Sequence, residues 1–213
     1  NEDNTSCTFT LRDGMKWSDG APVTSEDVRF AFEDVLFNEE IYPSLPVMYS
    51  TGATRDGAPL TFSVVDDLTF QIDFDAPYGG FIDQLMQNEF QGYSDVIKPS
   101  HYLKPFHAAY ADEAELASQL EAAGYANWFQ LFNDKDIRGW NATQALKIGT
   151  PVLSAWYVEA NAEGRAVIVR NPYYIAVDAA GNQLPYFDRV VAIDAPEGTT
   201  AQLMAMSGDV DLG

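Results

Sequence analysis

Residues 8–35 read TFTLRDGMKWSDGAPVTSEDVRFAFEDV, and this stretch does most to decide the fold. Within it, Phe9 and Leu11 alternate with polar neighbours, a pattern that predicts a half-buried β-strand. The triplets RDG at 12–14 and SDG at 18–20 combine aspartate with glycine, which is typical of tight turns. The stretch therefore predicts a strand that is followed at once by two turns.

A helix start follows the second turn. Thr24 can accept a hydrogen bond from a free N–H of the first helical turn, and Glu26 and Asp27 would lie at the positive end of the helix dipole. Apolar residues then recur at i, i+3, i+4, i+7 and i+8, which is the spacing of one helical face. They are Val28, Ala31, Phe32, Val35 and Leu36. The spacing predicts an amphipathic helix.

The next part of the chain, up to residue 140, predicts a hairpin and two further helices. Apolar and polar residues alternate over 60–74 around the pair Asp66-Asp67, which predicts an antiparallel hairpin with one buried face. A helix is expected after residue 80, and a second over 111–123, which Gly124 would end. The first of these would turn four apolar residues inward: Phe81, Ile82, Leu85 and Met86. Residues 125–140 are aromatic-rich and predicted to be irregular.

The pattern changes beyond residue 140. Strands are predicted over 154–158, 166–170 and 189–194, followed by a short helix over 200–207 that Gly208 would end. We place a domain boundary near residues 145–150 because the helical pattern gives way to strands there. The fold class predicted from the residues is α/β in the broad sense, a mixed α+β chain.

Composition excludes several classes of protein. With 213 residues, of which 46% are hydrophobic, the chain can bury a sizeable core, which argues against intrinsic disorder. Its net charge of −20 opposes binding to nucleic acids and to anionic membrane surfaces. No run approaches the ~20 apolar residues that cross a bilayer. The lone Cys7 cannot form an internal disulfide.

A search for catalytic and metal-binding patterns finds none that is specific. The sequence has no phosphate-binding P-loop, no nucleophile elbow and no zinc-binding HExxH. His101 and His107 are not spaced to share one helical face, so we assign both to surface or structural roles. Asp73 and Asp75 share a strand face and could form a glycosidase-like carboxylate pair, but that face is expected to be solvent-exposed. We predict no cofactor and no metal site.

Residues 8–28 closely resemble the signature of the family 5 extracellular solute-binding proteins, which are the dipeptide and oligopeptide receptors of ABC importers. The residues that carry it are both turns and the helix start quoted above. Further blocks resemble the same family along nearly the whole chain. They read DDLTF at 66–70, APY at 76–78, GTPVL at 149–153, NPYY at 171–174, GNQLPY at 181–186 and SGDVD at 207–211. Pro151 and Val152 depart from the family's usual Gly and Pro.

The resemblance implies a periplasmic-binding-protein-like fold of type II, with two lobes that close on a solute and a small extra domain beside the first lobe. Residues 1–146 would be the peripheral extra domain (domain II), and residues 147–213 a partial segment of lobe I, with the second lobe absent. The resemblance further implies a periplasmic or extracytoplasmic, membrane-associated receptor. We expect it to be a monomer that binds a peptide or oligosaccharide and passes it to ABC permease subunits.

Four residues are candidates for ligand contact. Tyr42 lies just beyond the signature helix, where peptide-binding relatives place a cleft tyrosine. Thr150 and Trp156 lie near the expected crossover between lobes, and Trp140 belongs to an aromatic-rich insertion. For each of them, packing between domains is the alternative role.

Two other classes of function stay open at this point. The acidic and aromatic content is compatible with a glycan-processing enzyme domain, in which Asp73 and Asp75 would be catalytic. The missing half of the cleft is compatible with an interaction module that transports nothing. The resemblance favours the transport receptor, which is not an enzyme.

Overall fold

The computed structural model describes residues 1–51, 57–87, 95–137, 147–195 and 197–211. The signature strand forms as predicted: β1 spans Ser6–Thr10, and the two turns after it contain Gly14 and Gly20, both with positive φ. The predicted hairpin is confirmed as β2 (Thr61–Val64) and β3 (Thr69–Asp73). These three antiparallel strands form one sheet in the order β1-β3-β2, with Phe9 opposite Phe70.

The signature helix begins where the sequence predicts and then widens. Helix α1 (Ser25–Arg29) continues directly into a π-helix (Phe30–Leu36), in which the Phe37 N–H donates to the carbonyl of Phe32, five residues earlier. The predicted apolar face is fully buried. Phe30, which the periodicity does not place on that face, is also buried. The helix therefore has protein on two sides, which the spacing of one amphipathic face did not predict.

Two hydrophobic clusters account for this double burial. The first lies between the helix and the β1-β3-β2 sheet; its buried members include Trp17, Val28, Phe32, Leu36, Phe70, Ile72 and Phe81. The second lies on the other side of the helix and consists of Phe30, Val35, Ile41, Leu103 and Phe132. The signature helix is thus the central element of this part of the fold.

Four short helices follow the hairpin, and two of them contribute Leu103 and Phe132 to the second cluster. They are α2 (Phe81–Gln87), α3 (Ser100–Leu103), α4 (Glu113–Ala123) and α5 (Trp128–Lys135), with 3₁₀ turns at Val47–Tyr49 and Lys104–Phe106. Helix α4 matches its prediction: the Asp112 carboxylate accepts from the N–H groups of Ala114 and Glu115, and Gly124 ends the helix with φ +72°. Aspartate caps and left-handed glycines are strong local signals, which explains this agreement.

Two expectations about the helices are wrong. Residues 128–135 are helical rather than irregular, because Gln130 closes the helix start by accepting from the N–H of Asn127, and Leu131 and Phe132 pack inward. In α2, Phe81 is buried but Ile82 and Met86 are 39% and 68% exposed. The core touches only one stripe of α2, and these two side chains lie on the neighbouring stripe.

Residues after 147 build a second antiparallel sheet. Its strands β4 (Trp156–Ala162), β5 (Arg165–Arg170) and β6 (Arg189–Ile193) pair in chain order, with a register shift between Val158 and Ala160. Helix α6 (Gly198–Ser207) follows, and Gly208 ends it with φ +79°. The elements occur in the predicted order, although β4 begins two residues later than predicted and extends four residues further, and the chain as a whole is mixed helix and sheet.

Candidate functional site

Thr150 lies in a crevice beside the second of the two turns in residues 8–35. This second turn, residues 16–20, is called the signature turn below. The side chain is 6% exposed, and its hydroxyl is 3.5 Å from the hydroxyl of Tyr102. The crevice is lined by Trp17, Ile97, Lys98, Leu103, Asp136 and Val152, among others. The crevice has a free volume of only about 20 Å³, which is enough for about one water molecule. In this conformation the crevice cannot take a sugar ring or a dipeptide.

A fully buried ion pair forms one wall of the crevice. The Lys98 ammonium donates to both carboxylate oxygens of Asp136 at 2.8 and 2.9 Å, and the two side chains are 1% and 2% exposed. Beside them, the Lys147 ammonium donates to the main-chain carbonyls of Asn133 and Asp136. A cation is favourable at this place because the carbonyl end of α5 carries partial negative charge.

A second buried carboxylate, Asp27, joins the signature turn to the segment that begins α3. One oxygen accepts from the indole N–H of Trp17 at 3.1 Å and from the N–H of Thr24 at 3.0 Å. The other accepts from both the N–H and the hydroxyl of Ser100, at 3.0 and 2.7 Å. Asp27 thus satisfies four donors while it is 2% exposed. The sequence places it at a helix start but does not reveal the partners from residues 17 and 100.

Tyr42 follows the π-helix and is half-buried. Its N–H donates to the carbonyl of Asn38 at 2.7 Å, and its ring packs against both hydrophobic clusters. The structure does not bring Tyr42 into the crevice that contains Thr150. Tyr42 therefore lies between the two clusters and contacts both.

Trp156 begins β4 as part of an open aromatic pair. Its indole stacks on the ring of Phe187 with centroids 5.9 Å apart and planes inclined by 18°. Phe187 and its neighbour Tyr186 are each 65% exposed. Exposed, stacked aromatic rings are suited to contact the apolar face of a sugar or a peptide side chain. Trp140, the fourth candidate, lies outside the described residues.

Asp75 and Asp73 both accept hydrogen bonds from neighbouring groups, and Asp75 lacks the property expected of a general acid. Asp75 accepts from the Thr51 hydroxyl and from the N–H of Ala58, and these bonds hold its pKa below the usual value. A general acid needs a raised pKa instead. Asp73 accepts from the side-chain amide of Gln71 at 2.8 Å. Within the described part of the chain, no group of three or more His, Cys, Asp or Glu side chains could hold a metal ion.

His107 belongs to the second cluster rather than to a site. One ring nitrogen lies 3.0 Å from the carbonyl of Asp34, and the other accepts from the N–H of Ala109 at 3.2 Å. This pattern fits a neutral ring whose Nε2 carries the hydrogen. Burial lowers the pKa of His107 and outweighs the opposing influence of Asp34 and Glu40.

The free energy of unfolding should therefore fall on acidification. Because the folded-state pKa of His107 lies below the ordinary 6.5 of the unfolded chain, the unfolded state takes up the proton first as pH drops below that value. Urea unfolding between pH 7.5 and 5.5 checks this. The His107→Gln variant should lose part of the decrease, whereas His101→Asn, which alters an exposed histidine, should retain it. Equal pH dependence in all three proteins would contradict the expectation.

The chain resembles solute receptors over its whole length. It is 30% identical to the periplasmic alpha-galactoside-binding protein of Rhizobium meliloti (strain 1021) over 98% of this chain and 26% of that protein. The solved oligopeptide-binding protein OppA superposes with a TM-score of 0.81 and 35% identity, over 99% of this chain and 31% of that one. MelB from Agrobacterium fabrum C58, solved with stachyose, gives 0.68 and 28%, over 99% and 27%.

The relatives are named as binding proteins, and this chain spans between 26% and 31% of their lengths. In the described residues, no helix has the length and apolarity needed to cross a membrane. The model of the bacterial extracellular solute-binding proteins, family 5 (Middle), matches residues 1–213. Since that match covers the whole sequence, this chain belongs to the family 5 solute-binding proteins.

Proposed function

We propose that the chain is part of the solute-binding component of an ABC importer, which captures a peptide or an oligosaccharide outside the cytoplasmic membrane and delivers it to the permease. The observation that carries the proposal is the family match over residues 1–213. In such a receptor no bond is made or broken. The solute shifts an equilibrium between open and closed lobes through its greater affinity for the closed state.

The proposed domain organisation keeps residues 1–146 as the extra domain and 147–213 as part of lobe I. Support comes from the β4-β5-β6 sheet, which is apolar on both faces. Ile168 pairs with Val190 on one face, and Val167 pairs with Val191 on the other. Several apolar side chains of β6 and of α6 are more than a third exposed, including Val190, Ile193, Leu203 and Met206. A sheet of this kind is stable when protein covers both faces, as the remainder of a lobe would.

Tyr42, Thr150 and Trp156 remain the proposed ligand contacts, together with Trp140. Of these, Trp156 has the strongest support because its stacked partner Phe187 is open to solvent. Thr150 is 6% exposed and the crevice beside it is too small for a solute, so contact with a solute would require this side chain to become more exposed.

The receptor is proposed to act as a monomer at the outer side of the membrane, to which a signal sequence directs it or a lipid anchor attaches it. Permease subunits are its proposed protein partners. The net charge of −20 supports the exclusion of nucleic acids. An enzymatic role has no support from the geometry of Asp73 and Asp75, and the relatives are named as binders.

The comparisons support two classes of solute, peptides and galactosides, and measured binding affinities can distinguish them. The similarity to OppA favours peptides, and the similarity to an alpha-galactoside-binding protein over nearly the whole chain favours galactosides. Isothermal titration of the full-length receptor with di- to pentapeptides and with stachyose should give binding by one class, with peptides as our first expectation. Trp156→Ala should weaken that binding up to about tenfold, whereas Trp128→Phe, in the second cluster, should not. Absence of binding by either class would refute the proposed function.

A further inference from the structure

The signature turn makes direct main-chain contact with the return segment, which we define as residues 149–156. The N–H of Ser18 donates to the carbonyl of Val152 at 3.0 Å, and the N–H of Val152 donates to the Ser18 hydroxyl oxygen at 3.0 Å. Two bonds between the same two residues fix both the distance and the rotation between the segments. Both residues are half-buried, so water competes only partly for these bonds.

A second contact lies two residues further along the turn. Gly20 has φ +91°, and a Cβ at this position would lie 3.1 Å from the hydroxyl oxygen of Tyr173. The positive φ favours glycine here, and a larger residue would also press against the tyrosine ring. The Lys16 ammonium lies 5.3 Å from the centroid of the same ring, within the range of a cation–π contact.

Asn171 links the return segment to Tyr173, and both of these contact the signature turn. It is fully buried, its side-chain amide donates to the carbonyl of Ser154 at 2.9 Å, and its N–H donates to the carbonyl of Ala155. The carbonyl oxygen of the same side chain accepts from the N–H of Tyr173 at 2.9 Å. The return segment and Tyr173 are consequently held as one body that meets the signature turn at two points.

On the other side of the turn, Trp17 is held by the buried carboxylate of Asp27. The turn is thus bonded to the signature helix behind it and to the return segment in front of it. The turn has one side-chain bond to the helix, through Trp17, and two contacts with the other segment, at Ser18 and at Gly20, and together these restrict its rotation.

We infer that the turn at residues 16–20 is a rigid joint that sets the position of the return segment, with Ser18 as its positioning residue. The consequence for solute binding rests on the proposed function, because Thr150 and Trp156 belong to that segment. The joint itself does not depend on it.

Hydrogen exchange in the 213-residue chain tests the joint. Ser18→Ala removes the acceptor of the Val152 N–H, and exchange of that amide should become about tenfold faster. Exchange of the Ile72 amide in β3 should stay unchanged, and Ser18→Thr, which keeps the hydroxyl, should restore the slow rate at Val152. As a matched control, Ser154→Ala removes a serine hydroxyl that bonds Trp156 instead, and Val152 should then exchange at the wild-type rate.

Unchanged exchange at Val152 in Ser18→Ala would overturn the inference. An equal acceleration at Val152 and Ile72 would also overturn it, since that result would show a general loss of stability. Titration of the full-length Ser18→Ala receptor with a tetrapeptide and with stachyose separates the two proposals. Weaker binding together with faster Val152 exchange supports both of them. Wild-type affinity together with faster exchange supports the joint and refutes the ligand role of Thr150 and Trp156.

Discussion

Replacing Asp27 by asparagine is expected to lower the free energy of unfolding by about 3 to 5 kcal/mol. The carboxylate accepts four hydrogen bonds in the interior, from groups of Trp17, Thr24 and Ser100. In asparagine an NH₂ group, which cannot accept hydrogen bonds, replaces one of the two oxygens. Each oxygen of Asp27 accepts two bonds, so two of the four would be lost whichever oxygen is replaced. The other two would lose the contribution of the negative charge. Urea unfolding followed by tryptophan fluorescence measures the difference.

Asp13→Asn is the matched control for this substitution. Asp13 is an exposed residue of the first signature turn, and asparagine is equally suited to a turn before glycine. The control should therefore change the free energy of unfolding by less than about 0.5 kcal/mol. A similarly small effect of Asp27→Asn would show that the buried bonds do not stabilise the helix start.

Replacing Lys98 by methionine should have an effect of the same size, about 3 to 5 kcal/mol, for a different reason. The substitution keeps most of the side-chain volume but removes the ammonium that donates to both oxygens of the buried Asp136 carboxylate. The double variant Lys98→Met/Asp136→Leu removes both charges and should recover most of the lost stability. Chemical unfolding of the two single variants and the double variant gives the coupling between the charges.

An exposed ion pair provides the control for Lys98. Arg189 lies 3.9 Å from Glu159, with both side chains more than half exposed, so Arg189→Met should cost at most about 1 kcal/mol. If the double variant were as unstable as Lys98→Met alone, the loss would arise from packing. The buried charge would then not be its cause.

The elements near residues 8–35 follow from local chemistry, and the sequence predicts them well. Turns with glycine at positive φ, an acidic first helical turn and strands of alternating polarity each depend on a few neighbouring residues. The same holds for α4, which starts at Asp112 and ends at Gly124. Helix α5 has a local start signal in Asn127 and Gln130, but it is short and aromatic-rich, and only the tertiary packing of Leu131 and Phe132 distinguishes it from an irregular segment.

The candidate site was harder to predict, because its contacts join residues that are distant in the chain. Lys98 stands in the run Val96-Ile97-Lys98-Pro99, where a charged residue among apolar ones indicates a buried pair, but nothing nearby names Asp136 as the partner. The structure places Thr150 in a small crevice, with its hydroxyl 3.5 Å from that of Tyr102, and it packs Tyr42 against both hydrophobic clusters.

The amino-acid sequence by itself determined the family, the signature turns, both hairpin strands and the glycines that end α4 and α6, because these depend on residues within a few positions of one another. Only the tertiary structure decided that the signature helix is buried on two sides, that Asp27 bonds Trp17 and Ser100, and that Ser18 holds Val152. Those contacts span up to 134 residues. Their partners are selected by packing of the whole chain, which no local pattern of residues encodes.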